Sequence, residues 1–161
     1  MPANGTATLA NSNPAAGSHT AKAAIDYGDL PELIGYVLRR AQLRLYEDFY
    51  AAMRGTGISP ALFSALVLVE RNPGVQQGHL GQALGVARSG AMTMVDRLER
   101  LGLVLRQPSP RDRRAYGLHL TPKGQKLAAS LRAKVADHDH RIGHRLDAAE
   151  RRQLMELLQR I

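Results

Sequence analysis

From Leu30 onward, apolar residues return every three or four positions: Ile34, Leu38, Ala41 and Leu45, with Leu33 and Val37 beside them. That period lays a wide apolar stripe along a helix, which ends before Gly55–Thr56–Gly57. Ser59–Pro60 reads as an N-cap and a first-turn proline, because proline's missing N–H costs nothing there. The second helix carries Leu62, Phe63, Leu66 and Val67 as far as Asn72–Pro73–Gly74. A short third helix is predicted over about residues 76–84, stopped by Gly85. A fourth runs over about 88–101, stopped by Gly102. The period then shortens. Residues 103–107 and 116–120 are short β-like runs around the proline-rich turn Pro108–Ser109–Pro110–Arg111–Asp112. Thr121–Pro122 repeats the cap-and-proline start, and the fifth helix sets Leu127, Leu131, Val135, His138 and Ile142 on one face. Asp147 with Glu150 is a capping-box variant that opens a last helix bearing Leu154, Leu157, Leu158 and Ile161.

The order implies a mainly α fold with a small β-hairpin wing: a winged helix-turn-helix flanked by N- and C-terminal helices. In the fourth helix Ala91, Val95, Leu98 and Leu101 form a core-facing stripe, leaving Arg88, Ser89, Met92, Thr93, Asp96 and Arg97 on the other faces. Arginine gives the bidentate guanine contact and serine bonds more than one base, so Arg88 and Ser89 are candidates for base edges. Met92 and Thr93 suit a thymine methyl, and Arg97 suits a phosphate. Gln77, at the start of the third helix, joins the candidate DNA contacts. An ordinary amphipathic helix with polar residues outside would give the same pattern at any one of these positions. Arg111, Arg113 and Arg114 form a basic wing tip fit for the narrow minor groove, and Asp112 among them reads as the partner that orients one arginine. Surface charge balancing would place an Asp there as well.

Composition sharpens this picture. The 161 residues suffice for a single core, and no apolar run approaches the ~20 residues of a membrane span. There is no cysteine, so thiol catalysis and thiol-based oxidant sensing are excluded. The formal net charge is +8, which points to a polyanionic partner. Between Arg88 and Arg114, seven arginines face Asp96, Glu99 and Asp112, so half the surplus sits in one short stretch. A solvated basic face would account for the charge alone. Residues 1–26 are rich in Ala, Asn, Gly, Ser, Thr and Pro, without the basic start or apolar middle of an export signal. They are expected to be a disordered tail on a cytoplasmic protein.

The segment from Asp112 to Gly124 resembles the wing signature of MarR-type regulators, D-x-R, five residues, L-T-x-x-G, with Asp112, Arg114, Leu120, Thr121 and Gly124 on its fixed positions. Residues 79–86 and 95–104 resemble that family's helix-turn-helix running into its first wing strand, and the likeness spans about residues 30–161. The sequence departs from the pattern at Ala87, where a Ser or Thr cap often stands, and at Gly78 and Gly81, each costing ~1 kcal/mol against alanine inside a helix. The resemblance implies one domain over residues 27–161: dimerisation helices in 27–54 and 122–161, and a DNA-binding unit in 59–121. It also implies a homodimer whose terminal helices intertwine, on a pseudo-palindromic site of double-stranded DNA. The apolar stripes agree, being too large for a three-helix unit to cover.

MarR-type proteins sense small anionic aromatics, oxidants or metals. Tyr36, Arg39, Arg40, Tyr46 and Tyr50 gather aromatic and cationic groups on the first helix, suited to a phenolic acid or its coenzyme A thioester. Packing of a dimer core would use the same tyrosines. The alternative sensor is metallic: His138, His140 and His144, of which the last two are spaced i, i+4. No nucleophile elbow, P-loop, HExxH or dinucleotide turn is present, so neither an enzyme nor a resident cofactor is expected. A ligand-blind architectural DNA binder is the remaining alternative.

Overall fold

The computed structural model describes residues 25–108 and 116–161. A 3-10 turn at Leu30–Glu32 leads into α1 (Ile34–Ala52), α2 (Pro60–Arg71), β1 (Val75–Gln76), α3 (Gln77–Ala83), α4 (Arg88–Arg100), β2 (Val104–Pro108), β3 (Tyr116–Leu120), α5 (Pro122–Gly143) and α6 (Ala148–Leu158). The caps fall where the sequence puts them. Ser59 Oγ accepts from the Leu62 N–H and Thr121 Oγ1 from the Gly124 N–H. Asp147 and Glu150 close a reciprocal capping box.

One element departs from the expected hairpin. The sheet has three antiparallel strands in the order β1-β3-β2, with Val75 opposite Leu118 and Val104 opposite Leu120. Two residues carry no periodic signal, so β1 is invisible in sequence. Two glycines make it: Gly74 has φ +83, and a β-carbon on Gly117 would lie 2.8 Å from Gly74's backbone. That approach lets the Gly74 N–H donate to the Leu118 carbonyl at 2.8 Å.

The core lies where α2, α4, α5 and the sheet meet. Ala65, Leu66, Val69, Leu80, Val95, Leu98, Leu103, Leu118 and Leu131 are sealed there. From α5 the buried stripe is Gly124, Ala128, Leu131 and His138, with Leu127 and Val135 half-buried; Ile142, expected on it, is exposed. Two ion pairs lash the long helices: Arg132 on α5 to Glu70 on α2, and Arg141 on α5 to Asp48 on α1. The ends of the chain are different. No α6 side chain is buried, and large apolar residues stand exposed along the first helix and the last, among them Ile34, Val37, Leu38, Leu154, Leu157 and Leu158.

Candidate nucleic-acid interface

Helix α4 presents two opposed faces. Ala91, Val95 and Leu98 are wholly buried, with Leu101 half-buried below them. Arg88, Ser89, Met92, Thr93 and Arg97, five of the expected DNA contacts, are all exposed. Ala87 caps the helix with no side-chain hydrogen bond, and Ser89 does not take over that role. Thr93 Oγ1 donates back to the Ser89 carbonyl at 3.0 Å, which turns its methyl outward from that bond.

The two unusual glycines of α3 have different reasons. A β-carbon on Gly81 would come within 3.0 Å of Ala91 Cβ, so this glycine lets α3 and α4 pack closely. Nothing lies within 4 Å of the same position on Gly78, which instead helps line a cavity of about 600 Å³. Gln76, Gln77, Arg88, Arg106 and Tyr116 share that lining, between the first turns of α3 and α4 and the wing strands.

Arg106 corrects the charge picture. Counted in the sequence as part of the basic surplus, it is half-buried and paired within the chain. Nη2 donates to Asp96 Oδ1 at 2.8 Å and to Gln77 Oε1 at 3.0 Å, and Nη1 pairs with Glu99. One guanidinium thereby ties β2 to α3 and α4. Gln77, an expected DNA contact, is only half-exposed and has its oxygen engaged. The signal was faint: acids three apart on α4 and an arginine seven residues beyond the second, with nothing to say that they meet. Arg111, Asp112, Arg113 and Arg114 lie outside the described residues.

The junction of α4, wing and α5 explains two fixed positions of the wing signature. Thr121 Oγ1 donates to the Gly102 carbonyl at 2.7 Å while capping α5, and Lys123 Nζ donates to the Leu101 carbonyl at 2.7 Å. A β-carbon on Gly124 would overlap the Leu103 carbonyl oxygen.

The expected effector residues divide into two groups on α1. Arg40 lies 5.9 Å over the Tyr36 ring, and Nη1 donates to the Tyr36 hydroxyl at 3.5 Å. Tyr46 and Tyr50 stack edge-on at 6.3 Å; Gln42 Nε2 donates to the Tyr46 hydroxyl and accepts, through Oε1, from Arg39. Tyr50 continues edge-on to Phe49, and Phe49 to the imidazole of His138 at 5.4 Å.

That imidazole bears on the metal alternative. His138 is buried and its Nδ1–H donates to Asp48 Oδ2 at 2.6 Å, while Arg141 grips the same carboxylate at 2.9 and 3.1 Å. Arg141 first, then His138, holds the Asp48 carboxyl down at about 2, against an ordinary 3.8. His144 Nδ1–H donates to the Arg141 carbonyl, and His140 and His144 are exposed beside a second cavity of about 340 Å³. The histidines do not converge: His138 faces α1 and the other two face away. Among the described residues no three His, Asp or Glu side chains are placed to share an ion. Sequence spacing alone missed the Asp48–His138–Arg141 clamp, because its halves are 90 residues apart.

Residues 56–115 match the model of the MarR family. A protein assigned to regulation of the hcr operon in Thauera aromatica is 36% identical over 140 residues, covering 86% of this chain and 84% of that one. Among solved structures, the transcriptional repressor CouR bound to a 23-mer DNA duplex superposes with a TM-score of 0.79 at 39% identity, covering 84% of this chain and 96% of that one. CouR bound to p-coumaroyl-CoA gives 0.78 at 37%, with the same coverage.

Proposed function

The chain belongs to the MarR family of transcriptional regulators, and from that premise we propose that it is a cytoplasmic repressor binding a pseudo-palindromic operator as a homodimer. Release is by a small anionic aromatic effector, a phenolic acid or its coenzyme A thioester. The observation that carries the DNA reading is α4, whose Ala91, Val95 and Leu98 are buried while Arg88, Ser89, Met92, Thr93 and Arg97 stand exposed. The wing arginines Arg111, Arg113 and Arg114, oriented by Asp112, complete the surface in this reading. Residues 59–121 form the DNA-binding unit, and 27–54 with 122–161 the dimerisation helices. A two-fold dimer sets two such helices about 34 Å apart, one duplex turn. The effector class is supported by the tyrosine–arginine groups on α1 and by the 37%-identical repressor that holds p-coumaroyl-CoA.

The test begins with selection of a duplex from a random-sequence pool by the unmodified chain. An enriched inverted repeat is expected, bound ~10³-fold more tightly than random DNA. On that duplex Arg88→Ala relaxes base preference at one position, while Arg97→Ala weakens all sequences alike and flattens the salt dependence by about one unit. Added p-coumaroyl-CoA or p-coumarate releases the duplex. Recovery of no preferred sequence sinks the regulator reading in favour of a sequence-blind binder; release by neither compound removes the effector class alone.

A further inference from the structure

We infer that Arg106 is a positioning residue that commits the Gln77 carbonyl oxygen to the wing and thereby makes Gln77 a hydrogen-bond donor to DNA. This deepens the DNA-binding reading and rests on it. A guanidinium has donors only, so the Gln77 atom 3.0 Å from Arg106 Nη2 must be the oxygen, and the orientation of the amide is fixed by chemistry. With the oxygen turned to Arg106, the NH2 group is the part of Gln77 turned away from that guanidinium. Gln77 opens α3 and shares the wall of the 600 Å³ cavity with Gly78 and Arg88, where α3 and α4 both begin. Gly78 keeps that wall low, since no atom stands within 4 Å of where its side chain would be. A glutamine with both amide atoms free pairs with adenine through two hydrogen bonds. With its oxygen held by Arg106, Gln77 offers a donor instead, suited to a phosphate oxygen or to an acceptor on a base edge.

Arg106 is suited to this role because it is not itself a phosphate ligand. Asp96 and Glu99 already surround its guanidinium, two carboxylates against one positive charge. Its planar fork reaches three acceptors on two helices, which a lysine ammonium at the end of a flexible stem does not reproduce. Removing the fork frees the Gln77 amide to rotate, while a lysine still answers the two acids.

The test uses the full chain and the duplex selected above, with Arg106→Lys, Gln77→Met and the double variant, each checked for fold by circular dichroism. Each single variant is expected to bind about tenfold more weakly, the loss of one hydrogen bond to a charged or polar partner. The double variant is expected to be no weaker than either single one, because both changes remove the same contact. Losses that multiply in the double variant, or unmodified affinity in either single variant, would overturn the inference. The unmodified chain and Arg88→Ala are titrated alongside. If the unmodified chain prefers no duplex, the DNA reading fails; if it binds and Gln77→Met binds equally, only the role of Gln77 fails.

Discussion

At Gly124 and Asp48 single atoms decide how the long helix α5 is held. Gly124 lies against the carbonyl oxygen of Leu103, where a β-carbon would overlap backbone rather than a side chain that could swing away. Gly124→Ala therefore forces α5 off the wing joint. Overpacking of this kind costs about 1–3 kcal/mol, and we expect a melting temperature lower by about 2–12 °C by calorimetry. An unchanged melting temperature would mean that the joint yields. At the other end, Asp48 holds its proton far less readily in the folded chain than in the unfolded one, because Arg141 and His138 both bond its charged form. A folded-state value near 2 against 3.8 means that the clamp's contribution is whole above about pH 4 and fades as pH falls toward 2. Asp48→Asn should be less stable than the unmodified chain at neutral pH and should show a flatter dependence on pH between 4 and 2. Urea unfolding at stepped pH tests this; parallel curves for the two proteins would show that the clamp contributes nothing.

Elements whose stripe or cap is local were legible in the sequence. Ser59–Pro60, Thr121–Pro122 and the Asp147–Glu150 box open helices as read, and Ala91, Val95 and Leu98 face the core as read. Elements made by distant partners were not. β1 exists because Gly117 lets strand β3 approach Gly74, some forty residues back along the chain. Arg106 looks like one more basic residue until folding sets Asp96, Glu99 and Gln77 around it. His138 looks like a third member of a histidine group until Asp48 claims it. The exposed face of α4 was legible for a physical reason: a helix of period 3.6 that buries Ala91, Val95 and Leu98 turns Ser89, Thr93 and Arg97 to the other side, while Arg88, seven residues before Val95, is exposed in the first turn. The effector residues were not resolved to the same degree, because aromatic and cationic side chains on an exposed face suit packing and binding equally.

For the whole molecule, the exposed apolar residues of the first and last helices are the dominant unanswered surface. None of the side chains of α6 is buried against Leu127, Leu131 and Val135 or elsewhere on its own chain. A second copy is the cover we propose, since burying each leucine or isoleucine contributes ~1.5–3 kcal/mol. Deleting residues 149–161 should dissociate or aggregate the protein in sedimentation equilibrium and abolish tight operator binding; a truncated chain that remains dimeric at full affinity would refute this interface. Helix α5 connects that surface to the DNA-reading end. Its 22 residues make a rod of about 33 Å, seated at Gly124 on the end of α4's loop and pinned to α1 at Arg141. From Arg141 back to Gly124 the rod measures about 25 Å. A tilt of about 10° about the clamp would carry the wing joint through about 4 Å, comparable with the ~3.4 Å rise of one base pair. On the reading proposed above, a ligand that tilts this rod at the first helix displaces the wing joint without touching the exposed face of α4.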